Sequence, residues 1–126
     1  NNNYLYFFDF EYFGFDDPVK LVSDFIWHPS NNMSKHLQKY WIISMNSIFS
    51  GDKYFSQRLN AYHYLLGIKW ILIILNIFDP TKKIKIINAK SMNKNQYIAF
   101  QKKQLELAIN YYNKINYQIK SNINEV

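Results

Sequence analysis

The strongest constraint on the fold is an uninterrupted apolar run from Trp70 to Leu75. It lies inside a longer helical pattern over residues 53–78, in which Gly67 is a candidate kink or break. Because the run is apolar on every side of a helix, it predicts a helix buried at the centre of a helical core. A membrane span is the competing interpretation, but the run is far shorter than the roughly 20 apolar residues that a bilayer requires, and Lys69 and Asn76 bracket it.

Turn and capping residues divide the rest of the chain into further helices. Asp17-Pro18 combines an N-cap residue with proline at the first helical position, which predicts a helix over residues 18–27. Helical periodicity predicts two more helices, near 33–49 and 94–119, with residues 81–93 as a lysine-rich connection. The predicted buried stripes of these three helices are Leu21, Val22, Phe25 and Ile26, then Met33, Leu37, Tyr40, Trp41, Met45 and Ile48, and finally Ile98, Leu105, Ala108, Tyr112, Ile115 and Ile119.

The start of the chain has a different pattern. Residues 4–10 are rich in aromatic side chains and predict one short β-strand. This strand ends on an acid, Asp9, and Glu11 and Gly14 follow. An acid at the end of a buried strand is unfavourable unless it meets a cation. Alternation along an extended chain puts Glu11 on the same side as Asp9 if the strand continues past Phe10.

Charge and cysteine content restrict the class of protein. The net charge of +6 is concentrated in residues 80–126, which hold nine Lys and two Glu. A basic tail is compatible with nucleic-acid binding, but scattered lysines along a helix face are more typical of a solvated surface, so we do not expect a nucleic-acid partner. The absence of cysteine excludes disulfides and thiolate metal sites and fits a cytoplasmic protein. Because the apolar run is too short for a bilayer, we expect no membrane partner. No signal peptide is visible at the start of the sequence.

Three segments, in order, resemble the aminoglycoside phosphotransferase/choline kinase superfamily, which has a protein-kinase-like fold. Asp9-Phe10-Glu11-Tyr12, Gly14 and Asp17-Pro18, with the helix that follows, resemble the strand, metal loop and first large helix of the family. Arg58, Tyr62 and the Lys69-Trp70 helix resemble the Lys-Trp helix of one bacterial branch, and residues 101–112 resemble its C-terminal helix. The resemblance covers nearly the whole chain.

The resemblance implies both a fold and an activity. The fold would be mainly α, with residues 1–126 forming one partial domain: the C-terminal helical lobe of a kinase-like protein, with one short N-terminal strand. Asp9 would bind magnesium, and Glu11 would be a second ligand on the metal or phosphate side. The complete protein would use Mg²⁺ and ATP to phosphorylate a hydroxyl group of a small alcohol, sugar or amino alcohol. The alternatives are a turn-capping role for Asp9 and a solvated loop position for Glu11.

The sequence also departs from the family. The glycine-containing phosphate loop, the strand lysine with its glutamate partner and the His-x-Asp catalytic loop are absent from residues 1–126. One aspartate can help to hold magnesium but cannot cradle the phosphates or orient the attacking hydroxyl. We therefore expect the chain alone to be inactive and to need the missing N-terminal part of the same protein. The alternative is a noncatalytic helical partner-binding module or a degenerate kinase relative.

Three further expectations concern ionisable residues. Lys69 lies next to the apolar run, so it must either extend to solvent or pair with an acid, and Asp17 and Asp24 are the candidates. The histidines show no metal-ligand spacing. Acids are rare in residues 33–126, which makes a polycationic aminoglycoside an unfavourable acceptor.

Overall fold

The computed structural model describes residues 14–124, with side chains up to residue 121. In chain order it contains the helices α1 (Pro18–Trp27), α2 (Lys35–Ile48), α3 (Phe55–Leu75), α4 (Lys83–Ala89) and α5 (Lys94–Asn124). Two 3-10 turns, Asn76–Phe78 and Pro80–Lys82, connect α3 to α4. Residues 14–124 contain no strand, so the mainly α class is confirmed for this part of the chain. The predicted strand at residues 4–10 lies outside the described residues.

Helix α1 begins and ends where its local sequence predicts. The Asp17 side chain accepts a hydrogen bond from the backbone N–H of Val19 at 2.9 Å, which caps the helix, and Pro18 occupies its first position. His28, before a proline, has an extended backbone with ψ 126° and ends the helix after Trp27. The predicted bounds of 18–27 are confirmed.

Helix α3 runs through Gly67 without a break, so of the two possibilities considered there, a kink or a break, the break is wrong. A Cβ atom at Gly67 would lie 2.9 Å from Ile115 in α5 and 2.9 Å from Trp27 in α1. The missing side chain therefore lets both neighbouring helices approach α3 closely. This position is a packing contact rather than a point of flexibility.

Helix α5 runs antiparallel to α3. The Tyr97 hydroxyl, near the start of α5, donates a 2.6 Å hydrogen bond to the carbonyl of Ile77, just past the end of α3. Further along α5, Ile115 reaches Gly67 in the middle of α3. Helix α5 continues beyond the predicted end at residue 119, and the predicted connection at 81–93 contains the short helix α4.

The core is centred on α1 and not on the apolar run of α3. Val22 and Trp27 in α1 are 0% and 1% exposed. Within the run, Ile74 is buried, but Leu72 and Ile73 are 63% and 43% exposed. The predicted central burial of residues 70–75 is therefore wrong. Within the described chain α3 packs mainly against two helices, α1 and α5, and part of its surface is left uncovered.

The predicted buried stripes are right only in part. The structure buries Val22, Ile26, Met45, Ala108 and Ile115 as expected. It exposes other members of the same stripes, namely Leu21, Phe25, Leu37, Tyr40, Ile48, Ile98, Leu105 and Tyr112. Periodicity places an apolar residue on a face of a helix, but it does not show whether another element covers that face.

The segment Phe55–Phe78 is long and apolar enough, by length and composition, to cross a membrane. Core helices of soluble proteins pass the same criteria. Two cations on this segment, Arg58 and Lys69, pair with carboxylates of α1, and the segment packs against α1 and α5. These contacts attach the segment to α1 and α5, although only 17% of its most apolar 18-residue window is buried. The expected cytoplasmic location stays a prediction.

Candidate functional site

A cleft of about 650 Å³ follows α1 from Gly14 to His28. Its charged lining residues are Asp16, Asp17, Lys20 and Asp24, and its aromatic wall includes Trp70. The cleft begins directly after the segment that carries the predicted ligands. Those ligands, Asp9 and Glu11, lie outside the described residues, so their roles stay predictions.

Arg58 joins the start of α1 to the turn before α3. Its Nε donates to Asp17 Oδ2 at 2.9 Å, and its Nη2 donates to Asp52 Oδ2 at 2.7 Å. These hydrogen bonds are the largest cause of the lowered pKa of both carboxyl groups, and they raise the pKa of Arg58. Asp17 is thus an ionised helix cap that is already paired with a cation.

Asp24 is the centre of a second anchor between α1 and α3. Lys69 Nζ donates to both carboxylate oxygens of Asp24, at 2.5 and 2.7 Å, and the Trp70 indole N–H donates to Oδ1 at 2.9 Å. The prediction that Lys69 pairs with an acid is confirmed, and the acid is Asp24. The Lys69 side chain is 36% exposed, so this pair is only partly buried. Lys20 adds a longer contact with Asp24 at 3.6 Å.

The described acids of the cleft all have cationic partners. Asp16 pairs with Lys20 at 2.8 Å, and the hydrogen bond from Lys20 is the main cause of its lowered pKa. A general base works best with a pKa near the operating pH, so neither Asp16 nor Asp17 suits that role. Among the side chains that the structure describes, no group of three His, Asp or Glu residues could hold a metal. The carboxylates of the described part of the cleft are therefore used in ion pairs, two of which, Arg58–Asp17 and Lys69–Asp24, hold α1 against α3.

His63 of α3 has a structural position against α1. His63 contacts Ser23 Oγ through its Nδ1 at 3.1 Å, and its backbone carbonyl accepts from the Trp27 indole at 3.0 Å. Burial lowers the pKa of His63 to about 4, and the nearby Lys114 charge contributes. His63 is accordingly neutral at pH 7.

Sequence reasoning found only the Lys69–Asp24 pair among these contacts, and it missed both carboxylate partners of Arg58 and the hydrogen bond from Trp70 to Asp24. The local sequence could have indicated the Arg58–Asp52 pair, because Asp52 stands in the turn just before the helix that carries Arg58. For the Trp70–Asp24 hydrogen bond the sequence offered a weaker indication, namely that Trp70 directly follows Lys69. That adjacency alone does not identify a shared acceptor on another helix.

No protein-family model, curated protein or solved structure matches this chain. The resemblance to kinase-like phosphotransferases therefore depends on the motifs themselves, and the function that follows from it is a proposal.

Proposed function

We propose that this chain is the C-terminal helical lobe of an ATP-dependent small-molecule phosphotransferase in which Asp9 binds magnesium. The observation that carries the proposal is the contact of Asp24 with Lys69 and Trp70. It joins α1, the helix directly after the Asp9 segment, to the Lys-Trp helix α3. These are two of the segments on which the family resemblance depends.

A phosphotransferase needs such an anchor because phosphoryl transfer depends mainly on positioning and charge neutralisation. A magnesium ligand misplaced by about 1 Å can lower the rate about 100-fold. Arg58–Asp17 fixes the start of α1, and Lys69–Asp24 fixes it two turns later. Together they prevent α1 from turning on α3, and this would hold the metal-binding segment in a defined place.

The remaining parts of the proposed reaction come from elsewhere in the complete protein. Magnesium is usually completed by phosphate oxygens and water, so Asp9, with Glu11 on the phosphate side, would be a partial site. The N-terminal part would supply the phosphate loop and the catalytic loop. The acceptor would be a neutral small alcohol or sugar, because Lys20, Arg58 and Lys69 already neutralise the described carboxylates of the cleft.

The 126-residue chain on its own provides the first test. We expect no ATP hydrolysis above background in the presence of Mg²⁺, since the phosphate loop and the general base are absent from the chain. Asp9→Ala should therefore change nothing in this assay. Measurable hydrolysis that Asp9→Ala abolishes would contradict the proposed division between two lobes.

One observation favours a second function, a noncatalytic partner-binding module. Leu65, Ile68 and Leu72 are spaced three and four residues apart on α3, so they share one face. They are 57%, 43% and 63% exposed. Exposed apolar stripes of this kind often mark protein contacts. A His-x-Asp sequence followed five residues later by Asn, upstream of Asn1 in the complete gene product, would favour the kinase; its absence there would favour the module.

A further inference from the structure

A groove of about 510 Å³ lies between the 3-10 turns after α3, the short helix α4 and the start of α5. Its apolar lining includes Phe78, Ile87 and Ile98, and its charged lining consists of Lys83 and Lys94. None of its lining residues belongs to the cleft along α1. An inference about this groove therefore does not depend on the proposed phosphotransferase function.

The chain around this groove is strongly basic. Residues 80–105 contain seven Lys and neither Asp nor Glu, and Asp79, just before them, is already used in a salt bridge within its own turn. Among the described residues, neither Lys83 nor Lys94 has a carboxylate partner. Lys83 lies over the ring of Tyr97 in the groove, 5.7 Å from its centroid. The groove thus presents positive charge that complements an anionic partner.

Apolar side chains stand exposed among these lysines. Phe78, Ile84 and Ile98 are 42%, 73% and 53% exposed. Ile84 lies three residues before Ile87, which lines the groove, so both lie on one side of α4. Lysines alone would be typical of a solvated surface, but exposed aliphatic and aromatic side chains gain free energy by leaving water. The partner that fits this surface offers negative charge and an apolar phase together.

The type of cation separates a lipid surface from a protein or nucleic-acid partner. All cations of residues 80–105 are lysines. Arginine, with its planar fork of donors, is the cation enriched at protein interfaces and in nucleic-acid recognition. Lysine is a point charge on a flexible stem, and the stem can lie along an apolar phase while the ammonium stays in water. A patch of lysines without arginine therefore favours a fluid anionic lipid surface.

We propose that this end of the helical bundle binds the surface of a membrane that contains anionic lipids. Phe78, Ile84 and Ile98 enter the boundary between headgroups and acyl chains. Lys83 and Lys94 contact lipid phosphates at the mouth of the groove. The expectation of no membrane partner was based on the length that a helix needs to span a bilayer, and a surface contact does not need that length.

The test mixes the full chain with vesicles of equal parts phosphatidylcholine and phosphatidylglycerol, and with vesicles of phosphatidylcholine alone, and measures bound protein by co-sedimentation. We expect binding to the anionic vesicles that added salt weakens, and binding to the neutral vesicles that is weaker by about tenfold or more. No binding to the anionic vesicles, or equal binding to both kinds, would overturn the proposal. So would tighter binding of a single-stranded oligonucleotide or of polyglutamate than of the anionic vesicles.

A double variant, Lys83→Gln with Lys94→Gln, removes the two cations of the groove. Binding to the anionic vesicles should weaken about 25-fold, since each lysine near an anionic surface contributes about fivefold. The matched control is Lys39→Gln with Lys53→Gln, which removes the same charge at exposed positions outside the basic segment. Equal weakening in both double variants would show that only net charge matters, and this would overturn the assignment to the groove.

A second variant tests the apolar contact. Ile84→Gln should weaken binding to the anionic vesicles about tenfold, because one apolar side chain no longer leaves water. Thermal unfolding should be unchanged, since Ile84 is 73% exposed. The matched control is Ile43→Gln in α2, an isoleucine that is 57% exposed. Unchanged vesicle binding by Ile84→Gln would show that the lysines act alone, and this would overturn the proposed insertion.

Discussion

Lys69 of α3 donates hydrogen bonds to both carboxylate oxygens of Asp24 in α1, at 2.5 and 2.7 Å. The two residues are far apart in the sequence, so the pair is a tertiary anchor. The Trp70 indole uses one of the same oxygens. Asp24 therefore accepts from two adjacent residues of a single helix, and this sets the position of α1 along α3.

Replacing Lys69 with Met should destabilise the fold by about 1 kcal/mol, since partly exposed ion pairs contribute modestly. Asp24→Asn should lower stability by a similar amount, and urea unfolding can measure both effects. In a double-mutant cycle the two substitutions should be coupled. Lys85→Met, at an exposed position of α4, is the control and should have little effect. Additive effects of the Lys69 and Asp24 substitutions would show that the pair does not anchor α1.

Gly67→Ala should destabilise the protein by about 1–3 kcal/mol, because the new methyl group would overlap Ile115 and Trp27. Cδ1 of Ile115 is one of the two nearest atoms, both at 2.9 Å, so adding Ile115→Val should recover part of the loss in thermal unfolding experiments. Gly51→Ala is the matched control, since no atom lies within 4 Å of a Cβ there. If Gly67→Ala unfolds at the wild-type temperature, the close contact of α1, α3 and α5 is wrong.

Arg58→Gln should raise the pKa of Asp17 and Asp52 toward their ordinary value of 3.8, because Arg58 is the main cause of their lowered pKa. Carboxyl NMR titration measures these values directly. A carboxyl group whose pKa is lower in the folded protein than in the unfolded chain stabilises the fold at pH values above its unfolded-state pKa. This stabilisation is lost as the pH falls through its folded-state pKa. The variant should therefore lose less stability between neutral pH and pH 3 than the wild type.

The internal control for this titration is Asp79, whose pKa is lowered mainly by a hydrogen bond from Thr81. Its pKa should not change in Arg58→Gln. Wild-type pKa values for Asp17 and Asp52 in the variant would contradict the Arg58 contacts.

His63 should make the fold sensitive to mild acid. Its folded pKa, about 4, lies below the ordinary 6.5, so between these values the unfolded chain binds more protons. Stability should fall as the pH drops from about 6.5 to about 4, by up to about 3 kcal/mol. Urea unfolding of His63→Gln should lack this loss, whereas His36→Gln, at an exposed position, should retain it. A flat wild-type profile over this range would show that His63 is not buried in its neutral form.

Local chemistry made parts of the structure predictable. Asp17-Pro18 and His28-Pro29 define the ends of α1 through capping and backbone restriction, which depend only on neighbouring residues. Lys69 had either to reach solvent or to pair with an acid, because it stands next to a strongly apolar run. The acid proved to be Asp24, one of the two candidates.

The coverage of apolar faces was not predictable in this way. The exposure of Leu72 depends on where α1 and α5 lie, and helical periodicity carries no such information. The same limit explains Gly67, which looked like a helix break but is a point of close packing. Asp9 and Glu11 lie outside the described residues, so the metal site is still a prediction from the sequence.

Magnesium-dependent ATP turnover by the complete gene product, with a panel of small alcohols as acceptors, tests the central proposal most directly. The account predicts turnover that Asp9→Asn lowers by a factor on the order of 100 or more, because a bound metal stabilises the transition state by several kcal/mol. Asp79→Asn, at the cap of a 3-10 turn, should leave turnover unchanged. Equal turnover in wild type and Asp9→Asn, or no magnesium-dependent turnover at all, would contradict the proposal.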